Sequence, residues 1–172
     1  METQTYKSKL TNIKAFAFDV DGVLSSGVLC MPDGDLLRMM DIRDGFVIRK
    51  ALLNNYKVAI ITKGSSPSVI LRFQKLGVTE IYSGKGAKLE SLKDFAQKYS
   101  LTLDQILYQG DDLPDLRCVE AAGLGTCPKN ATKEIVQAAD YVSPYEGGHG
   151  SVRDVVEQVL RANNDWNIDE DV

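Results

Sequence analysis

The chain has 172 residues, 44% of them apolar and 26% charged, with a net charge of −4. This composition suits a folded chain with a sizeable core rather than a disordered one, and its acidic balance argues against nucleic acid, which needs a basic face. A single histidine and three scattered cysteines (Cys30, Cys118, Cys127) exclude a histidine-rich metal centre and read as free thiols in a reducing compartment.

In chain order, the apolar run "AFAF" (residues 15–18) predicts a buried strand that ends at Asp19 and Asp21. The arms "VLCM" and "LLRMM", joined by "PDGD", predict a β-hairpin over residues 28–40. Val47, Ile48, Ala51 and Leu52 recur at helical spacing in "GFVIRKALLNN", and "KVAIIT" follows as a second strand. Ser66 and Pro67 then open a helix that Gly77 stops. "EIYSG" is a third strand, "AKLESLKDFAQKYS" a helix and "QILYQGDD" a fourth strand. A helix over 116–122, a strand at "GLGTCP", a short helix in "NATKEIVQAA" and a strand at "DYVS" come next. The last helix spans "GSVRDVVEQVLRAN", ahead of an acidic tail from about residue 163. With no repeat and no linker, residues 1–172 read as a single domain. No apolar run reaches membrane-spanning length and "METQTYKSKL" lacks a signal-peptide core, so a cytoplasmic protein is expected.

Strands alternating with helices predict an α/β, Rossmann-like parallel sheet with helices on both faces. Ligands of such sheets gather at the carboxyl ends of the strands, which places Asp19, Asp21, Thr62, Asp111 and Asp112 on one edge. Crowded carboxylates repel one another, and a hard cation such as Mg²⁺ relieves the repulsion. Thr62 and Lys88 can meet phosphate oxygens, which completes a phosphoryl-transfer set. Taken singly these residues are ordinary: an Asp cap, a strand-end threonine and a solvated lysine, with Lys85 three residues away as a rival for Lys88. Their order along the chain carries the reading.

That order, "DVDGV", "IIT", Lys88 and "GDDLPD", resembles the four motifs of the haloacid dehalogenase-like phosphatases. The resemblance implies that Asp19 attacks phosphorus and that Asp21 serves as acid and then base. It implies Mg²⁺ on Asp19, the backbone carbonyl of Asp21 and Asp111, with the phosphoryl group on Thr62 and Lys88. Asp112 and Asp115 would orient the metal's water or Lys88. The intervals from Asp19 to Thr62 and from Thr62 to Lys88 leave no room for a cap domain.

"DIRDGFVIR" and "GGHGSVRDV" resemble the capless, tetrameric group of 3-deoxy-D-manno-octulosonate 8-phosphate phosphatases, which act in surface-glycan (lipopolysaccharide) synthesis. The implied partners are an acid sugar phosphate and further copies of the chain, assembled as a homotetramer through the hairpin. Arg43, Asp44, Gly45, Arg49 and Arg72 would grip the sugar acid, in part across subunits, beside Asp21 and Lys88. His149 and the tail are further candidates for the substrate and a neighbouring site, and Arg153 for a subunit contact. The chain departs from the group at "ITKGSS", where "ITGRSS" is usual, so that Gly64 stands in the arginine position. A phosphatase of nine-carbon keto-deoxy sugar 9-phosphates is therefore the alternative. A phospho-receiver module and an inactive sugar-phosphate-binding scaffold are alternatives from other classes.

Overall fold

The computed structural model describes residues 5–32, 36–84 and 86–167. In chain order the elements are α1 (Tyr6–Lys9), β1 (Ala15–Phe18), β2 (Ser25–Cys30), β3 (Leu36–Met40), α2 (Ile42–Leu53), β4 (Lys57–Thr62), α3 (Pro67–Leu76), β5 (Glu80–Ser83), α4 (Lys88–Lys98), β6 (Ile106–Gln109), α5 (Leu116–Ala121), β7 (Leu124–Cys127), α6 (Lys133–Ala138), β8 (Tyr141–Val142) and α7 (Ser151–Ala162).

Six strands form a sheet in the order β5-β4-β1-β6-β7-β8, and every neighbouring pair is parallel. Its two faces follow from strand alternation. Phe16, Phe18, Ile60 and Leu107 point to one side, where α2, α3 and α7 bring Val47, Ile48, Phe73, Val156 and Val159. Ala15, Ala17, Ile61, Ile106 and Tyr108 point to the other, where Leu92 and Phe95 of α4 and Val119 of α5 cover them. Each large apolar side chain so buried contributes about 1.5–3 kcal/mol. Cys118 and Cys127 are buried free thiols, and burial pushes both thiols up, to about 12 and about 11.

The register sets the site. β1 lies at the centre of the sheet, with Phe18 opposite Ile60 of β4 and Gln109 of β6. Residues just beyond these partners emerge side by side at the carboxyl edge. The expected strands and helices are present, with three differences. The hairpin starts earlier, because Ser25 already pairs with Met40 and the register shifts between Ser25 and Gly27. Of its turn, residues 33–35 lie outside the described residues. Helix α2 starts at Ile42 rather than near Gly45, because the Asp41 carboxylate accepts the Arg43 N–H at 2.8 Å and caps the helix. The sequence reading also missed α1 and the 3₁₀ turn after it, four residues and one turn that precede β1.

Candidate active site

At the edge of β1 the chain turns sharply. The Asp19 N–H donates to the Gln109 carbonyl at 3.1 Å, and the Val20 carbonyl accepts from the N–H groups of Leu24 and Ser25 at 2.9 Å each. Gly22 adopts φ +84°, and a Cβ there would lie 2.0 Å from Asp111 Oδ2. Glycine is thus required twice, for the left-handed backbone and for the close approach of Asp111.

Lys88 opens α4 and is only 6% exposed. Its Nζ lies 2.8 Å from Asp19 Oδ1 and 2.8 Å from Asp115 Oδ1. Asp115 is 1% exposed and also accepts from the Tyr108 hydroxyl and, at 3.4 Å, from the Asp111 N–H. Asp115 therefore orients Lys88 from behind. Asp112 is exposed and caps the turn that follows, accepting from the Leu113 N–H at 2.8 Å. Thr62 is buried at the end of β4, and its Oγ1 accepts from the Gly64 N–H at 3.1 Å. Asp19, Asp21, Thr62, Lys88, Asp111, Asp112 and Asp115 all line one cavity of about 390 Å³. Lys85 lies outside the described residues.

Burial pushes the Asp19 carboxyl up to about 7; the Asp115 charge adds to this, and Lys88 opposes it. Burial, then Asp115, pushes Asp111 up to about 6. Burial disfavours the Lys88 ammonium, but Asp19 and Asp115 together outweigh it and hold its pKa above the usual range. Carboxylate oxygens of Asp19, Asp111 and Asp115 lie within 4.8 Å of one another. Three acids against one lysine leave a deficit of positive charge, and a hard divalent cation fits it. Because Asp115 is taken up by Lys88 and Tyr108, Asp19 and Asp111 are the pair suited to hold a metal.

The expected grip on a sugar acid is not assembled within one chain. None of Arg43, Asp44, Gly45, Arg49 and Arg72 lines the catalytic cavity. Arg43 pairs with Asp41, Nη2 to Oδ2 at 2.5 Å. Asp44 is 1% exposed and accepts the N–H groups of Arg153 at 2.7 Å and Gly150 at 3.3 Å, so it satisfies the start of α7. At Gly45 a Cβ would lie 2.7 Å from Arg72 Nη2, so this glycine lets Arg72 lie across α2. Arg49 Nη1 rests against Gly77, 3.6 Å from where a Cβ would sit. The physical reason is the early start of α2: the "RDG" stretch lies in its first turn, where it packs on α7 and α3. His149 is likewise absent from the cavity lining; its carbonyl accepts from Arg43 at 3.5 Å.

The sequence reading missed Arg38, whose Nε and Nη2 donate to Asp21 Oδ1 at 2.6 Å and Oδ2 at 3.0 Å. The available signal was one arginine inside the otherwise apolar arm "LLRMM".

Comparison with known proteins agrees with this geometry. The family description haloacid dehalogenase-like hydrolase matches residues 48–154. The 3-deoxy-D-manno-octulosonate 8-phosphate phosphatase of Escherichia coli (strain K12) is 38% identical over 156 residues, covering 90% of this chain and 83% of that one. The crystal structure of the Yersinia pestis phosphatase of the same name superposes with a TM-score of 0.90 at 31% identity, covering 93% and 87% of the two chains. The Moraxella catarrhalis phosphatase, in complex with a magnesium ion, a phosphate ion and a KDO molecule, superposes with a TM-score of 0.90 at 34% identity, covering 94% and 93%. Fold, ordered site residues and these likenesses agree, and the chain belongs to the haloacid dehalogenase-like hydrolases, within their group of 3-deoxy-D-manno-octulosonate 8-phosphate phosphatases.

Proposed function

We propose that this chain is a Mg²⁺-dependent phosphatase that hydrolyses a keto-deoxy sugar acid phosphate, 3-deoxy-D-manno-octulosonate 8-phosphate foremost, to the free sugar acid and phosphate. The observation that carries the reading is Lys88 Nζ, 2.8 Å from both Asp19 and Asp115, in one cavity with Thr62 and Asp111. The Escherichia coli relative bears that activity in its name, and the Moraxella catarrhalis structure holds magnesium, phosphate and KDO.

Asp19 is the nucleophile. Its carboxylate oxygen bonds to phosphorus as the bond from phosphorus to the sugar oxygen breaks, and Asp21 gives that oxygen a proton. Asp21 then takes a proton from water, the water oxygen attacks phosphorus, and the bond to Asp19 breaks to release phosphate. Lys88 holds Asp19 in line and neutralises phosphoryl oxygens, while Thr62 offers them its hydroxyl. Asp115 keeps Lys88 turned toward Asp19. Asp19, Asp111 and the backbone carbonyl of Asp21 would hold Mg²⁺, which supplies Lewis-acid stabilisation of charge on the transferring group.

The open cavity and the hairpin support assembly as a tetramer. Leu29 and Met39 are 61% and 67% exposed on a ribbon of two strands, which is marginal on its own in water. A second copy would cover them and bring its own side chains to the open site. Arg43, Arg49 and Arg72 enter a sugar-acid grip only in such an assembly.

A phosphatase of nine-carbon sugar 9-phosphates remains the second reading, favoured by Lys63 and Gly64 at the cavity wall. A phospho-receiver would need a separate acceptor aspartate after the third strand of its chain, where β5 ends at Ser83. The test compares kcat/KM on eight-carbon and nine-carbon keto-deoxy sugar phosphates, with hexose phosphates as controls. Eight-carbon preference is expected. Nine-carbon preference transfers the assignment to the second reading, and hexose preference overturns both.

A further inference from the structure

The mechanism above leaves one feature unused: the arginine of the hairpin that grips Asp21. Arg38 reaches from β3 to Asp21, which lines the site, and closes a two-pronged ion pair on its carboxylate, Nε to Oδ1 at 2.6 Å and Nη2 to Oδ2 at 3.0 Å. The arginine side chain is 7% exposed and the aspartate side chain 42% exposed, so the guanidinium is the buried partner and the carboxylate faces the cavity. The Ser25 hydroxyl adds a longer contact to the same Oδ1, at 3.3 Å. Oδ1 thus accepts from two donors, the shorter arginine bond among them, while Oδ2 accepts one bond at 3.0 Å.

Residue 64 makes room for this arrangement. A Cβ on Gly64 would lie 3.4 Å from Arg38 Nη2, 3.6 Å from Thr62 Oγ1 and 3.9 Å from Asp21 Oδ2. A methyl group fits at ordinary contact distance, but a longer side chain directed the same way would enter the space of the guanidinium.

We propose that Arg38 is the positioning residue for the proton carrier Asp21: it anchors Oδ1, leaves Oδ2 to carry the proton to and from the reacting oxygens, and depends on Gly64 for its place. The inference rests on the phosphatase reading. A planar fork holds a carboxylate in one orientation, which a point charge does not. Misplacing a proton donor by about 1 Å can cost on the order of 10²-fold. The cost must fall on substrates whose leaving group needs a proton. A sugar alkoxide does; 4-nitrophenolate leaves without one.

The experiment measures the first chemical step by rapid quench, for a sugar phosphate and for 4-nitrophenyl phosphate, on the intact chain with Mg²⁺. In Arg38→Ala the rate with the sugar phosphate should fall about 30–100-fold, at or below the lower end of the roughly 10²–10⁴-fold contribution of a general acid because Asp21 itself is still present, and the aryl rate by a much smaller factor. KM should change less than kcat. Arg38→Lys should recover only part of the loss, because it restores charge without the fork. Gly64→Leu should show the same leaving-group-selective loss with Arg38 intact, and it keeps the test valid should Arg38→Ala not fold; Gly64→Ala should be mild. Equal losses for both leaving groups, a loss carried by KM, full recovery with lysine, or a Gly64→Leu variant as fast as the parent on the sugar phosphate would each overturn the proposal. Failure of the underlying phosphatase reading looks different: it would show as no phosphate release by the parent chain with Mg²⁺, or as retained turnover in Asp19→Asn.

Discussion

Two regions of the molecule collect charged side chains, and they handle them in opposite ways. At the carboxyl edge of the sheet, acids crowd around one lysine in a cavity of about 390 Å³. On the α2/α7 face a larger groove, about 530 Å³, is lined by Arg43, Lys50, Arg153 and Arg161 beside Phe46 and Trp166. There three of the four cations lie over aromatic faces, and Arg43 pairs with Asp41. Arg161 sits 5.1 Å from the Trp166 ring, Arg153 5.5 Å from it and 5.6 Å from Phe46, and Lys50 5.5 Å from Trp166. Glu157 bridges Arg153 at 3.2 Å and Arg161 at 2.6 Å. The larger groove holds charges that are matched where they stand, whereas the smaller cavity holds buried acids pushed well above their usual range. Chemistry follows burial and imbalance of charge, not cavity size. Residues 165–167 are tied to this face: Tyr56 donates to Asp165 at 2.7 Å, and Lys50 donates to the Asn167 carbonyl.

The contrast can be broken most severely at Asp19, the proposed nucleophile. Asp19→Asn should cost at least about 10⁴-fold in kcat, as loss of a covalent nucleophile does, while the thermal midpoint holds or rises because one repelling acid is gone. Turnover near the parent rate would remove the edge from the mechanism. Lys88→Met comes next. It leaves buried Asp19 and Asp115 without their cation and should destabilise the fold by about 3–5 kcal/mol in denaturant titration, with activity lost. A loss below about 1 kcal/mol would show that these acids need no counter-charge. Mg²⁺ tests the same imbalance from outside. Chelation should abolish turnover, and Mg²⁺ at about 100 times its Kd should add about 2.7 kcal/mol of stability. An unchanged midpoint in scanning calorimetry would count against the metal pair.

The aromatic side of the other region should respond more mildly, and in stability. Trp166→Ala removes a ring shared by three cations and should cost about 1–3 kcal/mol with kcat unchanged. Loss of activity there would mean that the groove belongs to the site. The smallest expected effect concerns Asp44. Burial pushes its carboxyl up to about 6, although backbone N–H groups pull the other way. The folded chain therefore holds this proton at pH values where the unfolded chain has released it. The resulting stability is fully present below the ordinary value of 3.8 and is lost as pH rises through about 6. Relative to Asp44→Asn, the parent should gain in thermal midpoint as pH falls from about 7 to about 5. A difference that shrinks over that interval would contradict the raised value.

Much of this was legible beforehand. Short continuous apolar runs, a glycine stop and a Ser-Pro helix start are local signals, and they marked the strands and helices that carry Asp19, Thr62, Lys88 and Asp111. What escaped the sequence is non-local. Arg38 meets Asp21 across 17 residues only because the hairpin folds back over the edge, and Asp44 meets Arg153 across 109 residues only because α2 and α7 pack. "RDG" reads as a string of three neighbours, but the cap at Asp41 puts it in the first turn of a helix, where Asp44 accepts from the N–H groups at the start of α7.

By itself, then, the sequence determined which residue types arrive at the sheet edge, and in what order, because strand period and turn chemistry act over a few residues. Only the tertiary structure decided which acid faces Lys88, which is held by Arg38, and which cations are already matched. Those outcomes depend on distance and burial, and both are properties of packing between segments far apart in the chain.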